Sequence, residues 1–211
     1  MIGIVDYGMG NLFSVSKALE RLGADSFISD DPKQLSKASG IILPGVGSFK
    51  DAMGLLNEQK LTGFLQEYAD QGGWLLGICL GMQLLFESSE ENGHTKGLSL
   101  LPGDVIRFRG TDSEGASYKV PHMGWNQLAF RGESPILAGL KEDYVYFVHS
   151  YYVRTKDTVV VKASAKYDVD VPAVVGKGNV FGMQFHPEKS GDMGMSLLKN
   201  YLELVEGRVR A

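Results

Sequence analysis

The sequence predicts an α/β fold built on a doubly wound, mostly parallel central sheet, with an added antiparallel β section in its second half. Three observations predict it. The first half alternates apolar strand patterns with helical patterns, which implies parallel strands joined by right-handed crossovers. The second half has short strand patterns separated by turn residues. The 211 residues, 44% of them hydrophobic, suffice for one ordinary core, so we expect a single domain over residues 1–211.

The first half contains three apolar strand patterns, each followed by a helical pattern. The first strand ends in a Gly-rich turn, and the helix after it carries Val15, Ala18, Leu19 and Leu22 on one face, with Gly23 as its stop signal. In chain order, the predicted elements are a strand over 2–5, a helix over about 14–22, a strand over 41–43, a helix over 55–69, a strand over 74–78 and a helix over 80–86.

Beyond about residue 98 the pattern changes to strands with turn signals between them. The segment 176–179, Gly-Lys-Gly-Asn, suits a tight hairpin turn, and 87–97 and 110–117 are predicted to be surface loops. The predicted strands cover 105–108, 127–130, 144–153, 159–163, 173–177 and 180–185, and a last helix covers about 193–205.

Composition excludes several classes of function. The formal net charge is −4 with no long basic block, which argues against a nucleic-acid partner. No apolar run reaches the roughly 18 residues that a membrane span needs, and the N-terminus does not have the pattern of a signal peptide. One cysteine allows neither an intramolecular disulfide nor a thiolate zinc site. We expect a cytoplasmic protein that uses no metal and no cofactor.

Cys79, the only cysteine, stands where a nucleophile would stand. It follows an apolar strand pattern, precedes a helical one, and has Gly77 and Gly81 two residues away on either side. This is the pattern of a nucleophile elbow, with sulfur in place of the serine oxygen. The start of a helix also favours the thiolate, the reactive form of cysteine. The other interpretation is a buried core cysteine, and the two glycines favour the nucleophile.

His186 is the best candidate for a base among the four histidines. It ends a predicted strand, as Cys79 does, and reactive groups gather at the carboxyl ends of parallel strands. Glu188 can orient the imidazole, and Pro187 stiffens the turn between them. We expect His186 to deprotonate the thiol and then to protonate the leaving amine. Taken alone, a His-Pro pair at a strand end is as consistent with a surface turn as with a catalytic base.

Acyl transfer also needs N–H donors for the tetrahedral oxyanion. The loop 44–47, Pro-Gly-Val-Gly, follows the second strand and offers the amide of Val46. The amide of Leu80 lies next to the nucleophile in sequence. The loop by itself is a weak signal, because many strand-to-helix turns are rich in glycine.

Three segments together resemble the class I, triad-type glutamine amidotransferases: Pro-Gly-Val-Gly at 44–47, Gly-Ile-Cys-Leu-Gly-Met-Gln at 77–83 and Gln-Phe-His-Pro-Glu at 184–188. The resemblance covers essentially the whole chain and implies a flavodoxin-like fold. It also implies hydrolysis of L-glutamine to glutamate and ammonia through a γ-glutamyl thioester. By this resemblance, Cys79 is the nucleophile, His186 is the base and Glu188 orients the base. The resemblance assigns the oxyanion hole to the amides of Val46 and Leu80. It assigns glutamine binding to Gly47, Gln83, His149, Ser150 and Tyr151.

Further stretches resemble one branch of that family, the glutaminase subunits of imidazole glycerol phosphate synthases in histidine biosynthesis. They are 6–12, 44–49, 120–126, 146–151 and 185–190. Most other members have glycine in place of Val46 and lack the His-Met-Gly-Trp-Asn run. The resemblance implies a heterodimer that passes ammonia to a cyclase subunit, a (β/α)8 barrel, for formation of imidazole glycerol phosphate and the aminoimidazole carboxamide ribonucleotide. It implies contacts with that subunit at Asn11, Met123, Trp125, Tyr146 and Lys189.

Two alternatives stay open. The first is a glutaminase subunit serving another pathway, such as anthranilate or pyridoxal phosphate synthesis. The second is a catalytically silent regulatory module on the same fold. A silent module would lack a member of the triad, and none is missing from this sequence.

Overall fold

The first half of the chain builds the parallel part of the main sheet. The structure, a computed structural model, describes residues 1–208. The strands of this half are β1 (Ile2–Val5), β2 (Ser26–Ser29), β3 (Gly40–Gly45) and β4 (Trp74–Cys79), and its helices are α1 (Leu12–Arg21), α2 (Pro32–Leu35), α3 (Phe49–Glu58), α4 (Leu61–Asp70) and α5 (Leu80–Leu84).

The elements predicted for this half are present, with two differences. β2 and α2 were missed, because β2 lies at the sheet edge and has only one buried residue, so it shows no apolar run. The single helix expected over 55–69 is the pair α3 and α4. Lys60 adopts a left-handed conformation with φ of 60° between them, which breaks the helical path.

The second half supplies the antiparallel strands and the last helix. Short 3₁₀ turns lie at Pro135–Leu137, Thr158–Val160 and Pro187–Lys189. The longer elements are β5 (Ser88–Ser89), β6 (Thr95–Lys96), β7 (Asp104–Arg107), β8 (His122–Gln127), β9 (Ala129–Phe130), β10 (Tyr144–His149), β11 (Tyr151–Arg154), β12 (Val161–Tyr167), β13 (Val169–Lys177), β14 (Val180–Met183) and α6 (Gly191–Val205).

Four expectations for this half were wrong in detail. The surface loop expected over 87–97 contains β5 and β6, which pair with each other. The strand expected over 159–163 begins with a 3₁₀ turn, so β12 starts only at Val161. The strand expected over 144–153 is interrupted at Ser150, and its two parts, β10 and β11, join different sheets. The strand expected over 127–130 is β9 together with the last residue of β8, and β8 itself begins five residues earlier at His122. β8 was missed because its pattern is inverted: polar His122 is buried, whereas apolar Met123 and Trp125 are exposed.

The strands form one large sheet and two small ones. The large sheet has the order β2-β1-β3-β4-β14-β13-β12-β9, in which the first five strands are parallel and the last three are antiparallel. β10 pairs with β8 in a two-stranded ribbon, and β11 joins β7, β5 and β6. This confirms the predicted mostly parallel sheet with an antiparallel addition. Because β14 lies beside β4, a segment near the end of the chain lies against the strand that ends at Cys79.

Helices cover both faces of the large sheet. One apolar cluster includes Leu19 of α1 and Leu197 of α6, and the other includes Leu56 of α3 and Leu65 of α4. Successive residues of a strand point to opposite faces, so Ile42 of β3 belongs to the first cluster and its neighbours Ile41 and Leu43 belong to the second. Among residues 1–208, no helix has the length and hydropathy required to cross a membrane.

Candidate active site

The site begins where β4 and β14 end side by side. Ile78 is paired with Met183 in parallel register, so the next residues of both strands, Cys79 and Gln184, emerge at the same edge of the sheet. His186 follows two residues later. The carboxyl edge of this parallel sheet therefore brings together segments separated by more than a hundred positions in sequence.

The backbone at Cys79 is the sharp turn that the two glycines predicted. Cys79 ends β4 with φ of 55° and ψ of −112°, a conformation that non-glycine residues rarely adopt, and α5 begins at the next residue. A Cβ at Gly77 would collide with the backbone of Gly81, and a Cβ at Gly81 would overlap the carbonyl oxygen of Leu43. The elbow therefore requires glycine at both positions, and it holds the thiol at the end of the strand.

His186 and Glu188 form a buried pair beside the thiol. His186 Nδ1 lies 2.8 Å from Glu188 Oε1, and the two side chains are 4% and 1% exposed. Burial alone would lower the pKa of His186, but hydrogen bonds to Cys79 and Glu188 outweigh it and raise the pKa to about 9. At neutral pH the ring is therefore an imidazolium, the partner that a thiolate nucleophile needs.

The backbone of His186 is attached to the β8–β10 ribbon. Its N–H donates to the carbonyl oxygen of Tyr146 at 3.3 Å, and Ser190 Oγ donates to the His186 carbonyl oxygen at 2.6 Å. Ser190 Oγ also accepts the N–H of Tyr146 at 2.9 Å. The imidazole is thus fixed relative to β10 as well as to the main sheet.

Two buried glutamines connect the nucleophile to the far wall of the site. Gln83 Nε2 donates to the Tyr151 carbonyl oxygen and to Gln184 Oε1, each at 3.0 Å. Gln184 Nε2 in turn donates to Cys79 Sγ at 3.9 Å. Gln184 is fully buried, and the sequence reasoning did not assign it a role although it lies in the segment that contains His186. Its only sequence signal was its place near the end of the strand predicted over 180–185, two residues before His186.

A cavity of about 370 Å³ opens in front of the nucleophile. Of the residues predicted for catalysis, the oxyanion hole and glutamine binding, all but Glu188 line it, and Glu188 lies behind His186. Glu91, Pro121 and Val148 line it as well and were not predicted. The lining residues are Val46, Gly47, Cys79, Leu80, Gln83, Glu91, Pro121, Val148, His149, Ser150, Tyr151 and His186.

The loop after β3 forms one side of this cavity. Val46 is 43% exposed, and Gly47 has φ of 107°, a conformation that favours glycine. Beneath the loop, the hydroxyl of Tyr7 is so close to Gly45 that a Cβ there would collide with it. Burial and the neighbouring Cys79 raise the pKa of Tyr7 well above its ordinary value, so the phenol stays neutral. Tyr7 was not predicted as part of the site.

Glu91 is the carboxylate of the cavity wall. One of its oxygens, Oε2, accepts the N–H of Phe49 at 2.8 Å, at the first residue of α3. The sequence placed Glu91 in a surface loop, and nothing in the local pattern indicated that this loop folds against α3. The contact spans 42 residues, so only the tertiary structure brings the carboxylate to the site.

The side chain of His149 is fully engaged inside the protein. Its Nδ1 lies 2.8 Å from the Tyr151 carbonyl oxygen, and its Nε2 lies 2.9 Å from Nδ1 of His122. Burial lowers the pKa of His149 to about 3 and that of His122 to about 4, so both rings are neutral at physiological pH. His149 therefore contributes to the cavity wall with both ring nitrogens already paired.

The residues predicted for a partner interface are only partly grouped. Met123 and Trp125 lie 60% and 57% exposed on the outer face of β8, and Trp125 is paired with Tyr146 of β10. Lys189 is exposed in the turn after His186. The side chain of Asn11 accepts the N–H of Ser14 at 3.3 Å and so caps α1, a structural role that was not anticipated.

Nothing in the described part of the chain, residues 1–208, groups three or more His, Cys, Asp or Glu side chains as metal ligands would be grouped. The cavity instead combines a thiol, an imidazolium and a carboxylate with amide groups. These groups suit nucleophilic attack on a carboxamide of a small polar substrate.

Comparison with known proteins agrees with this chemistry. A family model described as glutamine amidotransferase class-I matches residues 3–204. The imidazole glycerol phosphate synthase subunit HisH of Geobacillus sp. (strain WCH70) is 64% identical over 208 residues, which are 99% of each chain. The HisH subunit of Bacillus subtilis (strain 168) is 56% identical over 204 residues, 97% of this chain and 96% of the relative.

Solved structures support the fold. A glutamine amidotransferase crystal structure superposes with a TM-score of 0.75 at 22% identity, covering 97% of this chain and 98% of the other. PurLQS from Thermotoga maritima superposes with a TM-score of 0.73 at 22% identity, covering 96% and 97%. At this identity the likeness concerns the fold alone.

Proposed function

We propose that this chain, which belongs to the class-I glutamine amidotransferase family, is the glutaminase subunit of an imidazole glycerol phosphate synthase. In this function it hydrolyses L-glutamine and supplies ammonia to a cyclase subunit in histidine biosynthesis. The observation that carries the chemistry is the buried Cys79–His186–Glu188 set at the end of two neighbouring parallel strands. Relatives with that function match at 55–64% identity over nearly the whole chain. A cytoplasmic location fits, since a nucleophilic thiol stays reduced there.

In the first half of the proposed reaction, the Cys79 thiolate attacks the side-chain amide carbon of glutamine. The amides of Val46 and Leu80 donate to the oxyanion that forms on the carbonyl oxygen. His186, held by Glu188, gives its proton to the amide nitrogen, and the C–N bond breaks to release ammonia. The product on the enzyme is a γ-glutamyl thioester on Cys79.

In the second half, neutral His186 takes a proton from a water molecule as the water attacks the thioester carbonyl. The C–S bond then breaks, glutamate leaves, and the thiolate and the imidazolium are both restored. The raised pKa of His186, about 9, keeps the ring protonated at the start of each cycle. Gln184, which donates to the sulfur, further stabilises the thiolate.

Glu91 gives the cavity a feature suited to an amino acid. Its carboxylate is on the cavity wall, as are the Gln83 side chain and Gly47. A carboxylate at this wall would pair with the α-ammonium group of glutamine, which selects a free amino acid over a simple amide. Glu91 thus joins the predicted glutamine-binding set of Gly47, Gln83 and residues 149–151.

The substitution Glu91→Gln tests this assignment. It keeps the oxygen that accepts the Phe49 N–H but removes the charge, so we expect KM for glutamine to rise by about ten- to a hundredfold with a smaller change in kcat. The matched control is Glu90→Gln, because Glu90 is exposed, does not line the cavity, and accepts the backbone N–H of Arg107. Equal KM values for the two variants would remove Glu91 from the site.

The partner surface is proposed on the β8–β10 ribbon, which carries the segment that resembles the histidine-pathway enzymes. Met123 and Trp125 form an exposed apolar surface there, with the Trp125 and Tyr146 ring centroids 6.0 Å apart. Exposed tryptophan next to tyrosine is typical of interface hot spots. The same ribbon is hydrogen-bonded to the His186 backbone, so a partner bound on it lies close to the catalytic histidine.

Glutaminase activity measured with and without a cyclase subunit and its nucleotide substrate tests the function. We expect weak glutamine hydrolysis by the chain alone and a rise of at least tenfold in the complex.

Trp125→Ala should weaken the complex by about 2 kcal/mol or more. The matched control is Val159→Ala, an exposed apolar residue (76%) outside the proposed surface. Stimulation by an anthranilate or pyridoxal phosphate synthase subunit instead of the cyclase would contradict the proposed pathway.

A further inference from the structure

A chain of hydrogen bonds runs from β8 to the cavity wall through two histidines. Asn126 Nδ2 lies 3.2 Å from Nε2 of His122, and Nδ1 of His122 lies 2.9 Å from Nε2 of His149. His149 Nδ1 then lies 2.8 Å from the Tyr151 carbonyl oxygen. Neither the catalytic mechanism nor the sequence analysis gave His122 or Asn126 a role of this kind.

The direction of every bond in this chain is determined at its two ends: the Tyr151 carbonyl oxygen can only accept, and the other end is the side chain of Asn126. Its Oδ1 accepts the N–H of Gln127 at 2.8 Å, and its Nδ2 donates to the Lys166 carbonyl oxygen at 2.9 Å. The group facing His122 is therefore the amide nitrogen, a donor, and His122 Nε2 must accept. It follows that the His122 proton is on Nδ1 and is donated to His149 Nε2. The His149 proton must then also be on Nδ1, donated to the Tyr151 carbonyl oxygen.

The surroundings keep both rings in this state. His122 is stacked between Tyr167 and Phe147, with ring centroids 3.9 Å and 4.6 Å away, and the edge of Phe108 lies near both rings. The two histidines are 2% and 6% exposed, and burial lowers the pKa of each. A neutral ring has one donor and one acceptor nitrogen, so the donor at Asn126 and the acceptor at Tyr151 select the same tautomer at each histidine.

This series of hydrogen bonds ends at the Tyr151 carbonyl oxygen, which also holds a residue of the proposed glutamine site. The Tyr151 carbonyl oxygen accepts from His149 Nδ1 and also from Gln83 Nε2, which donates in addition to Gln184. We propose that Asn126, His122 and His149 are positioning residues that orient the Tyr151 carbonyl, and through it Gln83, for glutamine binding. The role assigned to Gln83 rests on the proposed function, whereas the tautomers do not.

This arrangement also relates two faces of one strand. Along β8, His122 and Asn126 point inward, whereas Met123 and Trp125 point outward to the proposed partner surface. The strand that presents the exposed aromatic side chain therefore also carries one of the two groups that fix the tautomers. Gln127, next to Asn126, is exposed and provides a comparison at the same strand.

The tautomers are directly measurable by long-range ¹H–¹⁵N correlation spectra of the histidine rings in the full chain. We expect both His122 and His149 to carry their proton on Nδ1 at pH 8.5. In Asn126→Asp a carboxylate oxygen replaces the donor. Because a carboxylate is a stronger acceptor than the Tyr151 carbonyl, the proton of His122 should move to Nε2 and that of His149 should follow. A wild-type spectrum with either ring protonated on Nε2 would overturn the proposal, whether or not the variant folds.

Kinetics test the consequence for substrate binding. In Asn126→Asp a bare His149 Nδ1 would face the Tyr151 carbonyl oxygen, and we expect KM for glutamine to rise about tenfold, with kcat changed less. Gln127→Glu adds the same charge one residue away and should alter neither the tautomers nor KM. Reversed tautomers with KM within about twofold of wild type would overturn the positioning role. A wild-type chain without glutaminase activity would instead refute the proposed function, and the ring spectra would still decide the tautomers.

Discussion

Cys79→Ala is expected to lower kcat for glutamine hydrolysis by about 10⁴-fold or more, because removal of a covalent nucleophile leaves only binding and the oxyanion donors. The thiol is 6% exposed and borders the cavity, so its loss removes one sulfur atom from a buried position. The fold should persist, since the elbow depends on Gly77 and Gly81 rather than on the sulfur. Activity in the presence of the cyclase subunit is the measurement, with thermal unfolding as the check on folding.

A second readout separates a nucleophile from a buried core cysteine. Iodoacetamide should alkylate Cys79 in the wild-type chain rapidly at pH 7, because the protonated ring of His186 is hydrogen-bonded to the sulfur. Glutamine should slow the labelling, since it occupies the cavity that the thiol borders. If Cys79→Ala kept more than a few per cent of the wild-type kcat, the thioester mechanism proposed above would be wrong.

The parts of the site that local sequence predicted are those that local geometry imposes. The elbow at Cys79 needs two residues without Cβ within a five-residue segment, and glycine at those positions is visible in sequence. His186 and Glu188 are two positions apart, so their pairing also follows from a short turn. The parallel sheet followed similarly from the alternation of strand and helix.

The parts that were missed depend on contacts between distant segments. Glu91 reaches the cavity because its loop packs on α3, and Gln184 acquires its role from Gln83, 101 residues away in sequence. The His122–His149 pair requires β8 and β10 to be neighbours, and β8 was itself missed. Because the inner face of β8 is polar and its outer face is apolar, its sequence pattern is not that of a half-buried strand. The strand nevertheless contributes to both a buried network and a proposed interface.

Glu188→Gln is expected to lower kcat by about 10³- to 10⁴-fold although it changes only one atom of a side chain that does not line the cavity. Two orientations of the new amide are available, and both are unfavourable. If its oxygen accepts from His186 Nδ1, its NH₂ takes the place of Glu188 Oε2, which is buried without a hydrogen-bond partner among residues 1–208. A buried NH₂ without an acceptor costs about 1–3 kcal/mol.

In the other orientation the NH₂ donates to His186 Nδ1. The imidazole proton then lies on Nε2, the nitrogen that must take a proton from the attacking water, so the neutral ring cannot act as the base. Either way the carboxylate no longer stabilises the imidazolium, and the pKa of His186 should fall from about 9. Alkylation of Cys79 at pH 7 should slow together with kcat.

The pH dependence of stability gives this prediction a sign. Because the folded-state pKa of His186 is raised from 6.5 to about 9, its contribution to the free energy of unfolding is fully present below pH 6.5 and is lost as pH rises through 9. Glu188→Gln should flatten this decline in urea unfolding experiments. Glu203→Gln is the matched control, since it removes a surface carboxylate 3.7 Å from Lys199 and should leave kcat, alkylation and the pH profile unchanged. A Glu188→Gln enzyme with the wild-type alkylation rate would show that the carboxylate does not orient or charge His186, and the base would have to be sought elsewhere.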